Sequence, residues 1–169
     1  MKKTPEDYGI TNYTWNEDGS LSVKGDVNLH RENLKKLPYK FKEVGGDFTC
    51  FFNDLTSLKG APIKVGGFFD CSYNKLTSLK GAPQSVGEHF YCYNNTLTSL
   101  KGAPIKVGGQ FNCSHNKLTS LKGAPCVSRI ICSHNPGEFT EREIKAAMNP
   151  SNTIPFIKSL EREFLRGNK

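Results

Sequence analysis

The chain has 169 residues, a hydrophobic content of 36% and a formal charge of +7 from 23 basic and 16 acidic side chains. No run approaches the roughly 18 apolar residues of a membrane span, and the N-terminal lysines are not followed by the apolar stretch of a secretory signal. The composition therefore predicts a soluble, single-domain protein of the cytoplasm and disfavours a membrane or secreted protein.

Residues 1–26 precede the regular part of the chain and contain a predicted β-hairpin. Residues 13–15 and 21–23 alternate in polarity around a turn that contains Asp18 and Gly19, which is the pattern of two antiparallel strands. We expect this hairpin, with the only tryptophan (Trp15), to cap the N-terminal end of the following array.

Residues 27–135 contain a repeat of 21 residues, Phe-x-Cys-x-x-Asn-x-Leu-Thr-Ser-Leu-Lys-Gly-Ala-Pro, most regular between Phe48 and Pro125. A diverged copy starts at Val27, and a shortened one at Ile130. A repeat of this length holds one strand and a return path, and it buries its apolar side only when neighbours stack on it. The sequence predicts a solenoid with six parallel strands beginning near residues 27, 48, 69, 90, 111 and 130, and a non-helical convex side that is extended or forms short 3₁₀ turns.

Each position of the repeat has a predicted role. The Phe and the Cys point inward, separated by one outward residue, and the Asn bonds the backbone of its own and the next turn. The Gly-Gly pair supplies unusual backbone angles before each strand. The file of cysteines is predicted to be reduced and buried, because neighbouring strands hold the thiols too far apart for a disulfide. Zinc is disfavoured because a straight file without a Cys-x-x-Cys pair cannot supply tetrahedral ligands. These cysteines are Cys50, Cys71, Cys92 and Cys113.

Residues 136–169 change to a helical pattern. Thr140 and Glu143 form a predicted capping box that opens a short helix ending near Asn149. A second helix is predicted over about 155–166, where Ile157 and Leu160 begin an apolar face. We expect both helices to form a C-terminal cap over the last strand.

The pattern Phe-x-Cys-x-x-Asn-x-Leu-x-x-Leu resembles the leucine-rich repeat signature, with Phe and Cys in place of two leucines. With the Ala-Pro-x-x-Val stretch before each strand, it is similar to short leucine-rich repeat proteins of tailed phages and bacteria. The resemblance covers roughly residues 20–135. It implies a leucine-rich repeat solenoid with a parallel sheet on its concave face, and a binding surface rather than a catalytic activity.

The candidate site lies on the outward strand positions that differ between repeats, since positions held by the scaffold stay the same. Several of them are aromatic, and exposed aromatic anchors contribute about 2 kcal/mol or more to protein interfaces. The alternative is that the rings only stack on one another and stiffen the sheet. The predicted partner-binding residues are Phe51, Phe68, Asp70, Tyr73, His89, Tyr91, Tyr93, Gln110 and Asn112.

Two other functions remain open. Lysines recur after the second repeat leucine, and such ridges, with tyrosines as stacking platforms, could bind nucleic acid. The other alternative is a structural or self-assembling component of a particle. The recurring lysines are Lys59, Lys80, Lys101 and Lys122.

The leading interpretation is a non-catalytic module that binds a partner protein, such as a phage-encoded inhibitor or modulator of a host protein, acting in the host cytoplasm.

No nucleophile–base pair, phosphate loop or paired carboxylates stand out, so we expect no enzyme, cofactor or metal site. His115 and His134 occupy equivalent positions in neighbouring repeats and are predicted to be surface histidines stacked about 5 Å apart.

Overall fold

The computed structural model describes residues 3–148, which form a parallel β-solenoid followed by a helix. In chain order the elements are a 3₁₀ helix at Glu6–Tyr8, then β1 (Tyr13–Trp15), β2 (Leu21–Val23), β3 (Val27–Asn28), β4 (Phe41–Val44), β5 (Phe48–Thr49), β6 (Lys64–Val65), β7 (Phe69–Asp70), β8 (Ser85–Val86), β9 (Phe90–Tyr91), β10 (Lys106–Val107), β11 (Gln110–Asn112), β12 (Arg129–Ile131) and α1 (Glu141–Ala147).

The predicted strands form one parallel sheet in the order β3-β5-β7-β9-β11-β12, here called the repeat sheet. Its register places Phe48 beside Phe69, and the same step relates Phe69 to Phe90 and Phe90 to Phe111. All six strand positions and the 21-residue step are therefore confirmed, including the diverged first copy at Val27.

The return limbs form a second sheet, here called the return sheet, in the order β1-β2-β4-β6-β8-β10. The limbs are extended and not helical, as predicted, but the sequence analysis did not foresee that they pair with one another as a sheet. Each limb repeats at the same step as the repeat sheet, so its backbone N–H and C=O groups lie at strand spacing and pair with the next turn. Val65 and Val86 point inward from this sheet and are buried.

The core between the two sheets is a file of stacked rings and thiols. The Phe48, Phe69, Phe90 and Phe111 rings are fully buried, and neighbouring centroids lie 5.3, 5.2 and 5.4 Å apart. The four repeat cysteines are buried and free, as predicted. Burial raises the pKa of each of these thiols well above its ordinary value, which keeps them protonated and chemically inert.

The predicted asparagine ladder is present, but its bonds run to the preceding turn rather than the next. Asn74 Oδ1 accepts a hydrogen bond from Leu55 N–H at 2.9 Å, and its Nδ2 donates to Cys50 O at 2.9 Å and to Cys71 O at 3.1 Å. Asn95 and Asn116 repeat this arrangement one and two turns later. Each amide therefore ties its own turn to the one before it.

The Gly-Gly pairs have a different role from the one predicted. Their φ angles are not in the left-handed region, which is used instead by Gly60 and its equivalents in the Lys-Gly-Ala-Pro turn. A Cβ on Gly66 would lie 1.9 Å from Gly45 O. The first glycine of each pair is needed because successive backbones approach too closely at this point to admit a side chain.

The two ends of the solenoid have separate elements. β1 and β2 form the predicted hairpin and extend the return sheet. Ile10 and Leu21 are fully buried at this end, whereas Trp15 is exposed. The predicted capping box of Thr140 and Glu143 opens α1. The second predicted helix lies outside the described residues. Within residues 3–148, no helix is long and apolar enough to cross a membrane.

Candidate interaction face

The outward residues of the repeat sheet form one surface, here called the outer face. The inward Phe and Cys of each strand are buried, so the residues before, between and after them point the other way. The predicted partner-binding residues of this face are all half-buried: Phe51, Phe68, Asp70, His89, Tyr91, Tyr93, Gln110 and Asn112. Tyr73 does not belong to this face but to the neighbouring turn, where it is exposed.

The rings at the centre of the outer face contact one another around Tyr91. Its ring centroid lies 6.3 Å from Phe68, 6.3 Å from Tyr93 and 5.7 Å from His89. Gln110 Nε2 donates a hydrogen bond to the Tyr91 hydroxyl at 3.2 Å. The tyrosine–tyrosine contact is edge-to-face and the Phe68 contact is tilted, so these three rings do not cover one another fully, whereas His89 stacks on Tyr91 with planes 24° apart.

At three strands the residue in the first outward position makes a scaffold contact that the sequence analysis missed. Asp26 Oδ1 accepts from Asp47 N–H at 2.8 Å, Asp47 Oδ1 from Phe68 N–H at 2.9 Å, and His89 Nδ1 from Gln110 N–H at 3.0 Å. These side chains therefore bond the next strand. Phe68 has no acceptor to offer, which interrupts the ladder at the middle of the sheet.

The second glycine of each Gly-Gly pair makes room for this ladder. A Cβ on Gly67 would lie 1.9 Å from Asp47 Oδ1, and one on Gly109 would lie 2.3 Å from His89 Nδ1. The equivalent residue after Phe68 is Glu88, which is tolerated because Phe68 extends no side-chain acceptor to this point. The exchange of Gly for Glu88 was visible in the sequence and could have revealed the interruption.

A column of non-glycine residues in the left-handed conformation borders the outer face where each strand ends. The φ angles lie between 51° and 55°, a conformation that costs an L-residue about 1–2 kcal/mol. Every side chain in the column ends in a planar group, and several of them stack: Phe52 and Tyr73 have centroids 4.1 Å apart, and the Arg31 guanidinium lies 5.0 Å from the Phe52 centroid. The stacking predicted as the alternative role of the rings is therefore real in this left-handed column, which contains Arg31, Phe52, Tyr73, Asn94, His115 and His134.

The two histidines of the column are exposed and stacked, with centroids 4.1 Å apart and planes 8° from parallel. The prediction of a stacked surface pair is confirmed. The ring-nitrogen lone pairs lie in these parallel planes and so do not converge on one ion. Among residues 3–148, no group of three His, Cys, Asp or Glu residues could hold a metal ion.

The four predicted lysines are exposed and lie in the turns after the buried leucines, away from the central rings. The backbone N–H of Lys59 donates to Ser57 Oγ at 3.1 Å, and Lys101 and Lys122 repeat this contact. Within the described residues, none of the four forms a salt bridge; Lys75 instead pairs with Asp54 at 2.7 Å.

The chain was compared with protein-family models, with curated proteins and with solved structures, and nothing matches it.

Proposed function

We propose that this chain is a non-catalytic interaction module that binds a partner protein through the outer face of the repeat sheet. The supporting observation is the concentration of half-buried rings in the middle strands, at positions that vary between otherwise similar repeats. Exposed aromatic residues that pack edge-to-face offer large contact areas at low entropic cost. The corresponding positions towards both ends of the sheet are mostly polar, so the proposed anchor is central: Phe68, Tyr91 and Tyr93.

The finer fold assignment belongs to the same proposal. We take the repeats as leucine-rich repeats with the repeat sheet on the concave side, residues 1–26 and 136–169 as the caps, and 27–135 as the array. The 21-residue motif supports this assignment, and the resemblance to phage and bacterial repeat proteins favours an inhibitor or modulator of a host protein. Such a protein would act in the cytoplasm of the host.

The test is capture of a partner from the native cell or infected host by wild-type and variant proteins. Tyr91→Ala/Tyr93→Ala should abolish capture of a band that the wild type retains at low salt and at about 0.5 M salt. The matched control is Ile63→Ala/Ile105→Ala, which removes two apolar side chains from the return sheet; Ile63 is 54% exposed. Equal capture by both double variants would contradict the proposal.

Nucleic-acid binding is the second candidate, supported by the exposed file of lysines. It predicts recovery of nucleic acid at low salt only, since phosphate contacts weaken steeply as salt rises. Lys80→Gln/Lys101→Gln should then reduce recovery while the tyrosine variant leaves it unchanged.

Self-assembly is the third candidate. Among the described residues, β3 and β12 each pair on one side only, and open strand edges can pair with another chain. Sedimentation at increasing concentration measures this directly. A monomer over the whole concentration range would contradict it.

A further inference from the structure

Asp70 lies at the centre of the aromatic part of the outer face. In the register of the repeat sheet it is flanked by Thr49 on one side and Tyr91 on the other. Along its own strand the outward neighbours are Phe68 and Ser72. Thr49 and Ser72 have short side chains, so the carboxylate has small neighbours on two sides and rings on the other two.

Rings occupy most of the positions around this carboxylate. Backbone hydrogen bonds between neighbouring turns continue beyond the strand ends: Tyr73 N–H donates to Tyr93 O at 3.1 Å, and Phe52 N–H donates to Ser72 O at 3.2 Å. The positions of the diagonal neighbours are therefore also fixed. The charge of Asp70 acts on the Tyr93 phenol: burial, and then this charge, raise the pKa of Tyr93. The ring residues beside or diagonal to Asp70 are Phe51, Phe68, His89, Tyr91 and Tyr93.

The Asp70 carboxylate has no cationic partner within residues 3–148. Its Oδ1 accepts one hydrogen bond, from Ser72 N–H at 2.8 Å, and none of the salt bridges of the described chain includes it. Burial raises its pKa above the ordinary value, as expected for a carboxylate that has lost water without gaining a positive charge. The fold therefore keeps a partly desolvated acid without a counter-ion.

Ser72 gives an independent indication. Its side chain is completely buried, and its Oγ makes no hydrogen bond of ordinary geometry, although it is close enough to the Asp70 carboxylate and the Tyr93 hydroxyl to act on the pKa of both groups. Two turns later the equivalent Ser114 Oγ donates to Asn112 Oδ1 at 2.7 Å, so an internal partner is available to this position in principle. A buried hydroxyl without a well-formed hydrogen bond costs free energy, and this one lies directly beside the carboxylate that has no counter-ion.

The charge of the outer face differs from that of the rest of the protein. At its outward strand positions the face carries three carboxylates, Asp26, Asp47 and Asp70, against one guanidinium, Arg129. The whole chain is strongly basic, with a formal charge of +7. An acidic aromatic surface on a basic protein is complementary to a basic partner.

We infer that Asp70 and its surrounding rings bind an arginine side chain carried by a basic segment of the partner protein. The inference rests on the proposed function of the outer face and names its chemistry. A guanidinium is planar and can lie against a tyrosine or phenylalanine ring while it donates to the carboxylate.

The direct test uses three peptide probes, Ac-Ala-Arg-Ala-NH₂ and the same peptide with lysine or with the neutral isostere citrulline, titrated into the full chain and followed by NMR. The arginine probe should shift the resonances of Asp70, Tyr91 and Tyr93 in a saturable manner and bind more tightly than the lysine probe. Asp70→Asn should weaken it by about tenfold or more, since a charge-assisted hydrogen bond is lost. Equal binding of citrulline or lysine, or shifts confined to other surfaces, would overturn the inference.

Asp70→Asn is compatible with the fold because Asn28 and Asn112 already occupy equivalent positions. Each accepts the backbone N–H two residues later through Oδ1, at 3.3 and 3.1 Å. The matched control is Asp26→Asn, which removes the same charge from the same face, outside the rings, and should leave the affinity for the arginine probe unchanged.

Partner capture separates the two proposals. If Tyr91→Ala/Tyr93→Ala abolishes capture and Asp70→Asn does not, the face binds a partner but the arginine inference is wrong. If neither variant changes capture, the proposed function itself fails. Loss of capture with Tyr91→Ala/Tyr93→Ala and with Asp70→Asn, while Asp26→Asn retains it, supports both the proposed function and the arginine inference.

Discussion

Replacing Asn95 with alanine should remove one complete connection between adjacent turns. Asn95 Oδ1 accepts from Leu76 N–H at 2.9 Å, and Nδ2 donates to Cys71 O at 3.1 Å and Cys92 O at 3.2 Å. Both carbonyls keep a second donor, Asn74 and Asn116 respectively. The buried Leu76 N–H keeps none within the described chain and becomes the main source of destabilisation.

An orphaned buried donor costs about 1–3 kcal/mol, and the lost donated bonds add about 1 kcal/mol, so we expect a loss of about 2–4 kcal/mol in the free energy of unfolding. This is a large part of the roughly 5–15 kcal/mol that a folded domain has in total. Urea unfolding followed by far-UV circular dichroism measures it as a lower midpoint. The matched control is Asn112→Ala, which removes a half-buried amide that bonds only locally, to Ser114.

A comparison with Asn95→Asp tests the mechanism. The new carboxyl keeps an acceptor for Leu76 N–H but places an oxygen against the carbonyls that Nδ2 served. Its pKa should therefore be raised in the folded state, so the variant should lose stability as the pH rises above about 4. If Asn95→Ala costs no more than Asn112→Ala, or if Asn95→Asp is as stable at pH 7 as at pH 4, the ladder does not stabilise the turns as argued.

Three further variants test the core, the site and the ladder of the outer face. Phe90→Ala removes a fully buried ring from the file and should cost about 3–5 kcal/mol in urea unfolding; a loss below 1 kcal/mol would contradict the stacked core. Asp70→Asn should melt at a higher temperature than wild type at pH 7, because burial raises the pKa of Asp70 and the ionised carboxylate destabilises the fold. Below the ordinary carboxyl pKa the two proteins should melt at the same temperature. A lower melting temperature of Asp70→Asn at pH 7 would refute this. Phe68→Asp/Glu88→Gly should restore the interrupted side-chain ladder of the outer face, raise the urea midpoint and abolish partner capture. Phe68→Asp alone should be less stable than the double variant, because the Glu88 side chain occupies the space that the new aspartate needs.

The repeat sheet could be predicted from the sequence because its cause is local and periodic. The inward Phe and Cys recur with a fixed step, and a parallel sheet of stacked turns admits only one register for such a pattern. The return sheet was missed because three of its strands, Lys64–Val65, Ser85–Val86 and Lys106–Val107, have only two residues each. Two residues carry no recognisable alternation, and they pair only because the turns are already stacked.

The left-handed column could not be predicted from residue preferences. Phe52 and Tyr73 belong to residue types that rarely adopt positive φ, and glycine or asparagine would be expected there. The conformation is imposed by the turn into the next asparagine of the ladder, whose hydrogen bonds offset the local cost. Stacking of the planar groups adds a contribution that a single repeat cannot have.

The candidate site was only partly visible in the sequence for a related reason. The aromatic residues were identified because they differ between repeats, but the importance of Asp70 depends on its neighbours across three strands. Ser72 was missed altogether, since its equivalents include ordinary exposed or bonded serines and only the structure shows that its hydroxyl is buried without a hydrogen bond of ordinary geometry.

Departures from the repeat provide the strongest argument that the outer face is more than scaffold. At Phe68 the side-chain ladder is interrupted, and Glu88 replaces the glycine that the ladder would require. At Ser72 a hydroxyl that is well bonded two turns later makes no hydrogen bond of ordinary geometry. A sheet selected for stability alone would keep the bond in both cases, because each loss leaves a scaffold group without its usual partner. The two departures lie on either side of Asp70 along one strand. The sheet therefore loses hydrogen bonds at the place where the rings surround a carboxylate without a counter-ion.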